Sequence, residues 1–384
     1  MFDIPQKIEY ILEKLENNGF EAYLVGGTVR DFLLNYTPKD FDVTTSALPQ
    51  EVQTIFEKTV PTGIKHGTVT VIHEGLPVEV TTFRTEGKYI AHRRPEEVTF
   101  VTNLSEDLSR RDFTINAMAY NKTHSLVDLF GGKSDLENKL LRAVGDPKAR
   151  FSEDALRILR LFRFASVLSF SCEEKTEKAA LSLAETLESI SGERISAELK
   201  KAVTGENFKI FEKLIASGGL KSVKIEKIPD FSLISSLFER PDLAYFAFIF
   251  SSSSDYSKTL ELLKESNQIK KHFSALSSLV SSELPQTKPQ IKKSLCDCGI
   301  EYFKDYLLIK RKMGADTLLS ENLLAEISKK REPYLIEHLN LKGDELLNLG
   351  FSGKEVGNKL KFLQEAVINN PALNTKSELL KLIL

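Results

Sequence analysis

The chain has 384 residues, 41% hydrophobic and 28% charged, with a formal net charge of −2 and a pI near 6.4. That length supports two to four domains with proper cores; the composition excludes a disordered chain, and the charge excludes a global basic field, though not a local basic face. No apolar run reaches the length of a membrane span, the first residues carry no apolar leader, and Cys172, Cys296 and Cys298 make neither a disulfide framework nor a zinc spacing, so the expected compartment is the cytoplasm.

Residues 4–18 carry apolar positions at helical spacing, and Asn18-Gly19 is a stop signal. The apolar run 22–25 reads as a buried strand that halts at Gly26 and Gly27, and a helical pattern over 28–34 follows at once. Two glycines let backbone N–H groups approach an anion at a helix start, and Arg30 adds a fixed positive charge one turn in. The chain returns through Thr37-Pro38-Lys39 into a strand predicted over 40–44. Alternation along that strand would face Asp40 and Asp42 to one side and Phe41 to the core. Paired carboxylates opposite a phosphate-binding turn suit Mg²⁺. Further strands are predicted over 68–72, 78–83, 98–101 and 125–129, which with two helices make a mixed α/β head. From Ser134 onward β signals nearly vanish. Helices are predicted over 135–140, 152–168, 173–189 and 193–204, and the rest is helical with breaks at 251–254 and 286–290. The expected fold is α+β, a mixed head at 1–133 followed by an elongated all-helical neck (134–204), body (205–275) and tail (276–384).

Three further stretches carry chemistry. In the strand over 78–83, Glu79 and Thr81 share one face and Val78 and Val80 the other; the ordinary reading of Glu79 is an exposed edge glutamate, but a carboxylate in a core-like strand is costly unless paired or metal-bound. Next comes Arg110-Arg111-Asp112-Phe113-Thr114-Ile115-Asn116-Ala117, whose arginines would ordinarily be a solvated pair. Third is Glu153-Asp154-Ala155-Leu156-Arg157, with Ser152 as the expected N-cap of a helix. Asp154 and Arg157, three apart, would ordinarily form a weak intrahelical ion pair. The chemical reading is sharper. Asp supplies acceptors and Arg donors, which complements the amino donor and ring-nitrogen acceptor of both cytosine and adenine; uracil and guanine reverse that order. Arg160 and Arg163 follow at steps of three and would hold a triphosphate or orient the reading pair.

Gly26-Gly27-Thr28-Val29-Arg30-Asp31 followed by Asp40-Phe41-Asp42 resembles the signature of the polymerase β-type nucleotidyltransferases. With the Arg110–Ala117 run and the Glu153-Asp154-x-x-Arg157 pattern, the chain is similar to the bacterial class II tRNA nucleotidyltransferases, the CCA-adding family, most closely over 23–163, less closely through the neck near 191–203, and only thinly beyond 216. The resemblance implies Asp40, Asp42 and Glu79 as catalytic acids, with Mg²⁺ on Asp40 and Asp42. It implies Gly26, Gly27, Arg30, Arg111, Asp112, Asp154, Arg157, Arg160 and Arg163 as nucleotide-binding residues, Asp112 through a sugar hydroxyl. It further implies CTP, ATP and tRNA as partners and no obligate protein partner. The 85–100 segment resembles the family's flexible loop, whose presence argues for addition of A; relatives commonly carry an acidic residue where this chain has Ala91. The segment 341–346 with Gly350 and Gly357 looks like the family's C-terminal element, in a region expected to grip tRNA by its shape and backbone. The alternatives are an A-only adder, a poly(A) polymerase and an inactive RNA-binding relative.

Overall fold

The computed structural model describes residues 2–384 apart from 87–88, 91–93 and 96–97. The chain divides into two compact units, Met1–Lys264 and Glu265–Leu384. The first contains a seven-stranded mixed sheet made of β1 (Ala22–Val25), β2 (Asp42–Thr45), β3 (Thr59–Gly63), β4 (Thr68–His73), β5 (Leu76–Thr82), β6 (Met118–Asn121) and β7 (Ser125–Asp128), in the order β7-β6-β1-β2-β5-β4-β3. Every neighbouring pair is antiparallel except β2 with β5, whose parallel register sets Asp42 opposite Glu79. All four residues of β1 are buried, as its continuous apolar run requires of a central strand covered on both faces. On one side Tyr23, Val25, Phe83, Leu104, Leu108 and Ala119 form a core cluster.

Six helices accompany or follow this sheet as far as Glu153: α1 (Gln6–Asn17), α2 (Gly27–Leu33), α3 (Pro49–Ile55), α4 (Leu104–Ser109), α5 (Gly132–Glu137) and α6 (Pro147–Glu153). In α1, Ile8, Ile11, Leu12 and Leu15 are buried, the spacing of a single apolar stripe. The head therefore holds α3 and α4 beyond the two helices expected, each with a local start signal: Pro49 opens α3, with Glu51 accepting from Leu48 N–H at 2.7 Å, and the Asn103 side chain caps α4. Strand β3 is also unexpected. Its Thr-Val-Pro-Thr-Gly sequence lacks apolar alternation, and Pro61 is tolerated because β3 is an edge strand with a register shift against β4. Residues Val98–Phe100 do form a strand, but pair with Arg84–Glu86 outside the main sheet. Tyr89–Ile90 pairs with Arg94–Pro95, while Ala91 lies outside the described residues.

The rest of this unit is helical: α7 (Leu156–Leu168), α8 (Glu174–Ser182), α9 (Gly192–Ala202), α10 (Phe211–Ala216), α11 (Phe231–Ser236), α12 (Pro241–Ser252) and α13 (Tyr256–Leu262). The described exceptions are a short parallel pairing, Leu140–Leu141 with Ser171–Cys172, and a single antiparallel bridge between Ile225 and Ser253. The helix expected over 173–189 is two pieces, because after Ser182 the chain tightens into a 3₁₀ stretch at Ala184–Ser189. The Thr186 and Ser189 hydroxyls there donate to carbonyls three residues back. Helix α9 packs closely on α7, with Ser166 Oγ donating to Ala202 O at 2.8 Å.

The second unit is formed by α14 (Asn267–Val280), α15 (Lys288–Lys312), α16 (Leu318–Lys330), α17 (Gly343–Asn348), α18 (Lys354–Asn369) and α19 (Lys376–Lys381). Gly299, at φ 78°, breaks α15 into two pieces. A leucine-rich core of Leu339, Leu341, Leu346, Leu363, Val367, Leu379 and Ile383 packs the last helices. This unit carries 18 Lys and Arg against 15 Asp and Glu, the first 34 against 39, so the even total conceals opposite local balances. Among the described residues no helix is long and apolar enough to cross a membrane.

Candidate active site

The site grows from the end of β1. Gly26 takes φ 68° and ψ −130°, a conformation open to glycine and strained for other residues. A Cβ there would meet Arg111 Nη1 at 3.2 Å, so the missing side chain also admits the guanidinium. Helix α2 begins at the next residue. Thr28, 2% exposed, donates its hydroxyl to Asp40 O (3.2 Å) and accepts from Asp42 N–H (3.1 Å), tying the returning loop to the helix.

This tie corrects the strand predicted over 40–44. Strand β2 starts only at Asp42; Asp40 lies in a bend held by Thr28 and is exposed, and Phe41 is half-buried against Phe32 rather than a core residue. Both carboxylates nevertheless line one cavity of about 760 Å³, brought there by the loop and not by strand alternation. Glu79 stands opposite Asp42 across the parallel pair but is exposed and is not among the lining residues.

The cavity walls carry nine cationic side chains (Arg30, Lys39, Arg110, Arg111, Arg157, Arg160, Arg163, Arg194 and Lys201) against five carboxylates. A local basic face thus exists despite the acidic total. Most of these arginines are held by partners. Arg30 donates to Asp31 (2.7 Å) and to Asn116 Oδ1 (2.8 Å); Asn116 Nδ2 donates to Asp112 Oδ1 (3.1 Å), and Asp112 Oδ2 pairs with Arg160 (2.6 Å). Glu198, 6% exposed on α9, pairs with Arg163 and lies 3.9 Å from Arg160. Burial alone would raise the Asp112 carboxyl, but Arg160 and Asn116 outweigh it and hold it at about 2. Asp107, fully buried, grips Arg110 (2.7 Å) and Arg111 (3.0 Å); burial raises its pKa, and the two guanidiniums more than reverse that. One donor of the cavity wall stays unspent: Arg111 Nε is buried and has no hydrogen-bond partner among the described residues, a cost that an anionic ligand would remove.

Asp154 corrects a second expectation. No helix starts at Ser152. Asp146 caps an earlier helix by accepting from Ala149 N–H (2.8 Å) with Pro147 at its first position, α6 ends at Glu153, and Asp154 is extended at φ −133°, ψ 106° before α7 resumes. Asp154 and Arg157 therefore do not form the intrahelical pair. Asp154 Oδ1 accepts from Leu156 N–H (3.1 Å) and Oδ2 from Arg194 (2.9 Å), whereas Arg157 donates to Glu153 and to the carbonyls of Arg150 (3.2 Å) and Arg110 (3.0 Å). Both line the cavity.

Of the residues singled out in the sequence, Gly26, Gly27, Arg30, Asp40, Asp42, Arg111, Asp112, Asp154, Arg157, Arg160 and Arg163 meet in this one cavity; Glu79 alone stands outside its lining. Thr28, Asp107, Asn116, Arg194 and Glu198 escaped the sequence reading. Asp107 had a local signal, an acid three and four residues before two arginines in helical register. Glu198 and Arg194 had none, because their partners lie 35 and 40 residues away.

The donors fit Mg²⁺. They are hard carboxylate oxygens without Cys or His, and burial raises the Asp42 pKa, with Glu79 and Asp40 adding to the rise and Arg111 and Arg30 opposing it. Such a carboxylate lacks full compensation for its charge, which a cation would supply. Among the described residues no three His, Cys, Asp or Glu side chains stand together as a metal cage. Mg²⁺ needs none, since it commonly takes one or two carboxylates and completes its shell with phosphate and water.

Residues 22–142 match the family described as the poly A polymerase head domain, and 169–224 the probable RNA- and SrmB-binding site of polymerase A. The CCA-adding enzyme of Staphylococcus saprophyticus is 36% identical, covering 97% of this chain and 96% of its own, and that of Pediococcus pentosaceus is 37% identical over 99% and 98%. The crystal structure of the Bacillus stearothermophilus CCA-adding enzyme in complex with CTP superposes with a TM-score of 0.81 at 30% identity, over 98% of this chain and 96% of that one. Relatedness across nearly the whole length, an α/β head with a helical remainder, and a cavity where the expected nucleotide-handling residues converge lead to one conclusion: the chain belongs to the CCA-adding enzyme family.

Proposed function

We propose that this enzyme adds C, C and A to the 3′ end of tRNA from CTP and ATP, without a nucleic acid template. The observation that carries the reading is that the glycine turn, the two aspartates and the Asp154/Arg157 pair line one cavity rich in arginine. The CTP in the Bacillus stearothermophilus relative supports the nucleotide class.

In the proposed reaction the tRNA 3′-oxygen attacks the α-phosphorus, its proton leaves, the bond to the β-phosphate bridging oxygen breaks and pyrophosphate departs. Mg²⁺ on Asp40 and Asp42, with Glu79 as the neighbouring third acid, would supply charge neutralisation and a more acidic hydroxyl there. The Gly26–Gly27 backbone, Arg30 and Arg111 bind the triphosphate, Arg111 with its unspent Nε. Asp112 serves the sugar and holds Arg160, which with Arg163 flanks the base-reading pair. Asp154 accepts from the exocyclic amine of cytosine or adenine while Arg157 donates to the ring nitrogen, and uracil or guanine would set acceptor against acceptor. We assign 1–133 as the catalytic head, 134–204 as the base-reading neck, and 205–275 and 276–384 as body and tRNA-binding tail. The matched ranges 22–142 and 169–224 support the first two, and the positive balance of the second compact unit supports the last. Free cysteines in an unpaired state accord with the cytoplasm.

The test is an end-addition assay on tRNA ending before the tail, after C and after CC, with CTP and ATP offered singly and together. Completion to CCA from each start supports the reading. Addition of A only after CC would replace it with an A-only enzyme, and the absence of any addition would overturn it. The match to a poly A polymerase head favours one rival, which long A tails on any RNA would reveal.

A further inference from the structure

Arg194 has no role in the reading above, yet it is the side chain that fixes Asp154. We infer that Arg194 is a positioning residue for nucleotide selection, holding the Asp154 carboxylate as an oriented acceptor; the inference rests on the proposed base-reading role of Asp154. Three observations carry it. Asp154 is extended at the break between α6 and α7, with its carbonyl accepting from Arg157 N–H at 3.0 Å, so the direction of its carboxylate is set by what that side chain touches. Its two contacts divide the oxygens: Leu156 N–H takes Oδ1 at 3.1 Å and Arg194 Nη2 takes Oδ2 at 2.9 Å. A carboxylate offers about four acceptor sites, so one site on each oxygen is left for an incoming amine. Finally, Arg194 stands in the first turn of α9, the positive end of the helix dipole, where an acid such as neighbouring Glu193 is favoured and a cation is not. A cation kept at an unfavourable place on a cavity wall, 35% exposed and aimed at a single carboxylate, serves the cavity better than it serves the helix.

The direction of the effect follows from the geometry. Without Arg194 the Asp154 carboxylate is free to swing away from the position where it accepts from the amine of cytosine or adenine. Its acceptor then no longer stands fixed against the carbonyl oxygen of uracil or guanine, and the penalty against those bases falls.

The experiment measures kcat/KM for CTP, ATP, UTP and GTP on tRNA substrates, and equilibrium binding of CTP and UTP without tRNA. Wild type is compared with Arg194→Met, which keeps length and loses charge, Arg194→Lys, and Asp154→Asn as the control for base reading. A charge-assisted hydrogen bond supports about a tenfold loss in the C-over-U ratio for Arg194→Met, in both turnover and binding, with partial recovery in Arg194→Lys. The unfolding temperature reports whether each variant is folded. If Asp154→Asn relaxes selection while folded Arg194→Met and Arg194→Lys discriminate like wild type, the positioning role is overturned and base reading stands. If Asp154→Asn itself leaves selection unchanged, base reading fails and this inference with it.

Discussion

Asp112→Asn tests the network that holds the cavity walls. The wild-type carboxylate accepts from Phe113 N–H and Asn116 Nδ2 on one oxygen and pairs with Arg160 on the other. Its pKa of about 2 in the folded protein lies roughly two units below that of an unfolded aspartate, worth about 2–3 kcal/mol at neutral pH. Removal of one partner from a fully enclosed pair costs about 3–5 kcal/mol. The lower figure applies here, because the Arg160 side chain is one-third exposed and Glu198 lies 3.9 Å from it. Because folding depresses this pKa, the contribution is complete above about pH 4 and is lost as the pH falls towards 2. Urea unfolding of Asp112→Asn at pH 7 should therefore be easier than wild type by about 2–3 kcal/mol, the gap closing over that acid range. A gap under about 0.5 kcal/mol, or one that does not change with pH, would refute the assignment of this carboxylate as the anchor of Arg160.

Three further outcomes follow from the same geometry. Gly26→Ala puts a Cβ at positive φ and against Arg111; we expect about 1–3 kcal/mol lost in thermal unfolding and a raised nucleotide KM, and a silent substitution would deny the close approach. Thr28→Val leaves the Asp42 N–H without its acceptor, at about 1–3 kcal/mol, and should increase the Mg²⁺ concentration needed for half-maximal addition, with Thr28→Ser restoring it. Asp42→Asn should abolish addition while tRNA binding persists. Folding raises the pKa of Asp42, so its ionised carboxylate opposes stability above the usual carboxylate range, and the variant should melt higher than wild type in metal-free buffer at pH 7. Mg²⁺ at a hundred times its Kd should stabilise wild type by about 2.7 kcal/mol and the variant far less; equal stabilisation would remove the metal from this site.

What the sequence revealed was what is local. Gly26 and Gly27 after an apolar run, the alternation of Val78 and Val80 with Glu79, and the stop at Asn18-Gly19 each act within a few residues, and each is where it was expected. Asp40 was misread because a hydroxyl twelve residues earlier, on Thr28, bends the chain before β2 can start. The α6 start at Asp146-Pro147 carries a local cap signal that the start expected at Ser152 passed over, whereas the Asp154 contact with Arg194, 40 residues away, has no local signal. Strand β3 was hidden by Pro61, which only an edge position allows. Most of the cavity arginines, though not Arg194, were named from the sequence; which carboxylate holds each of them was not.

Those internal pairings bear on how the site trades anions with solvent. Asp107, Asp112, Asp31 and Glu198 already serve as built-in counter-ions to Arg110, Arg111, Arg160, Arg30 and Arg163. A polyphosphate entering the cavity competes with fixed carboxylates about 3 Å from the guanidiniums instead of displacing mobile salt, and contacts that short are little affected by ionic strength. In the proposed reaction binding would therefore be weaker, and less salt-sensitive, than nine unneutralised cations would give, and a departing pyrophosphate would leave behind arginines whose partners are already in place. For the proposed reaction, in which the same cavity would empty and refill for each added nucleotide, this lowers the cost of letting go.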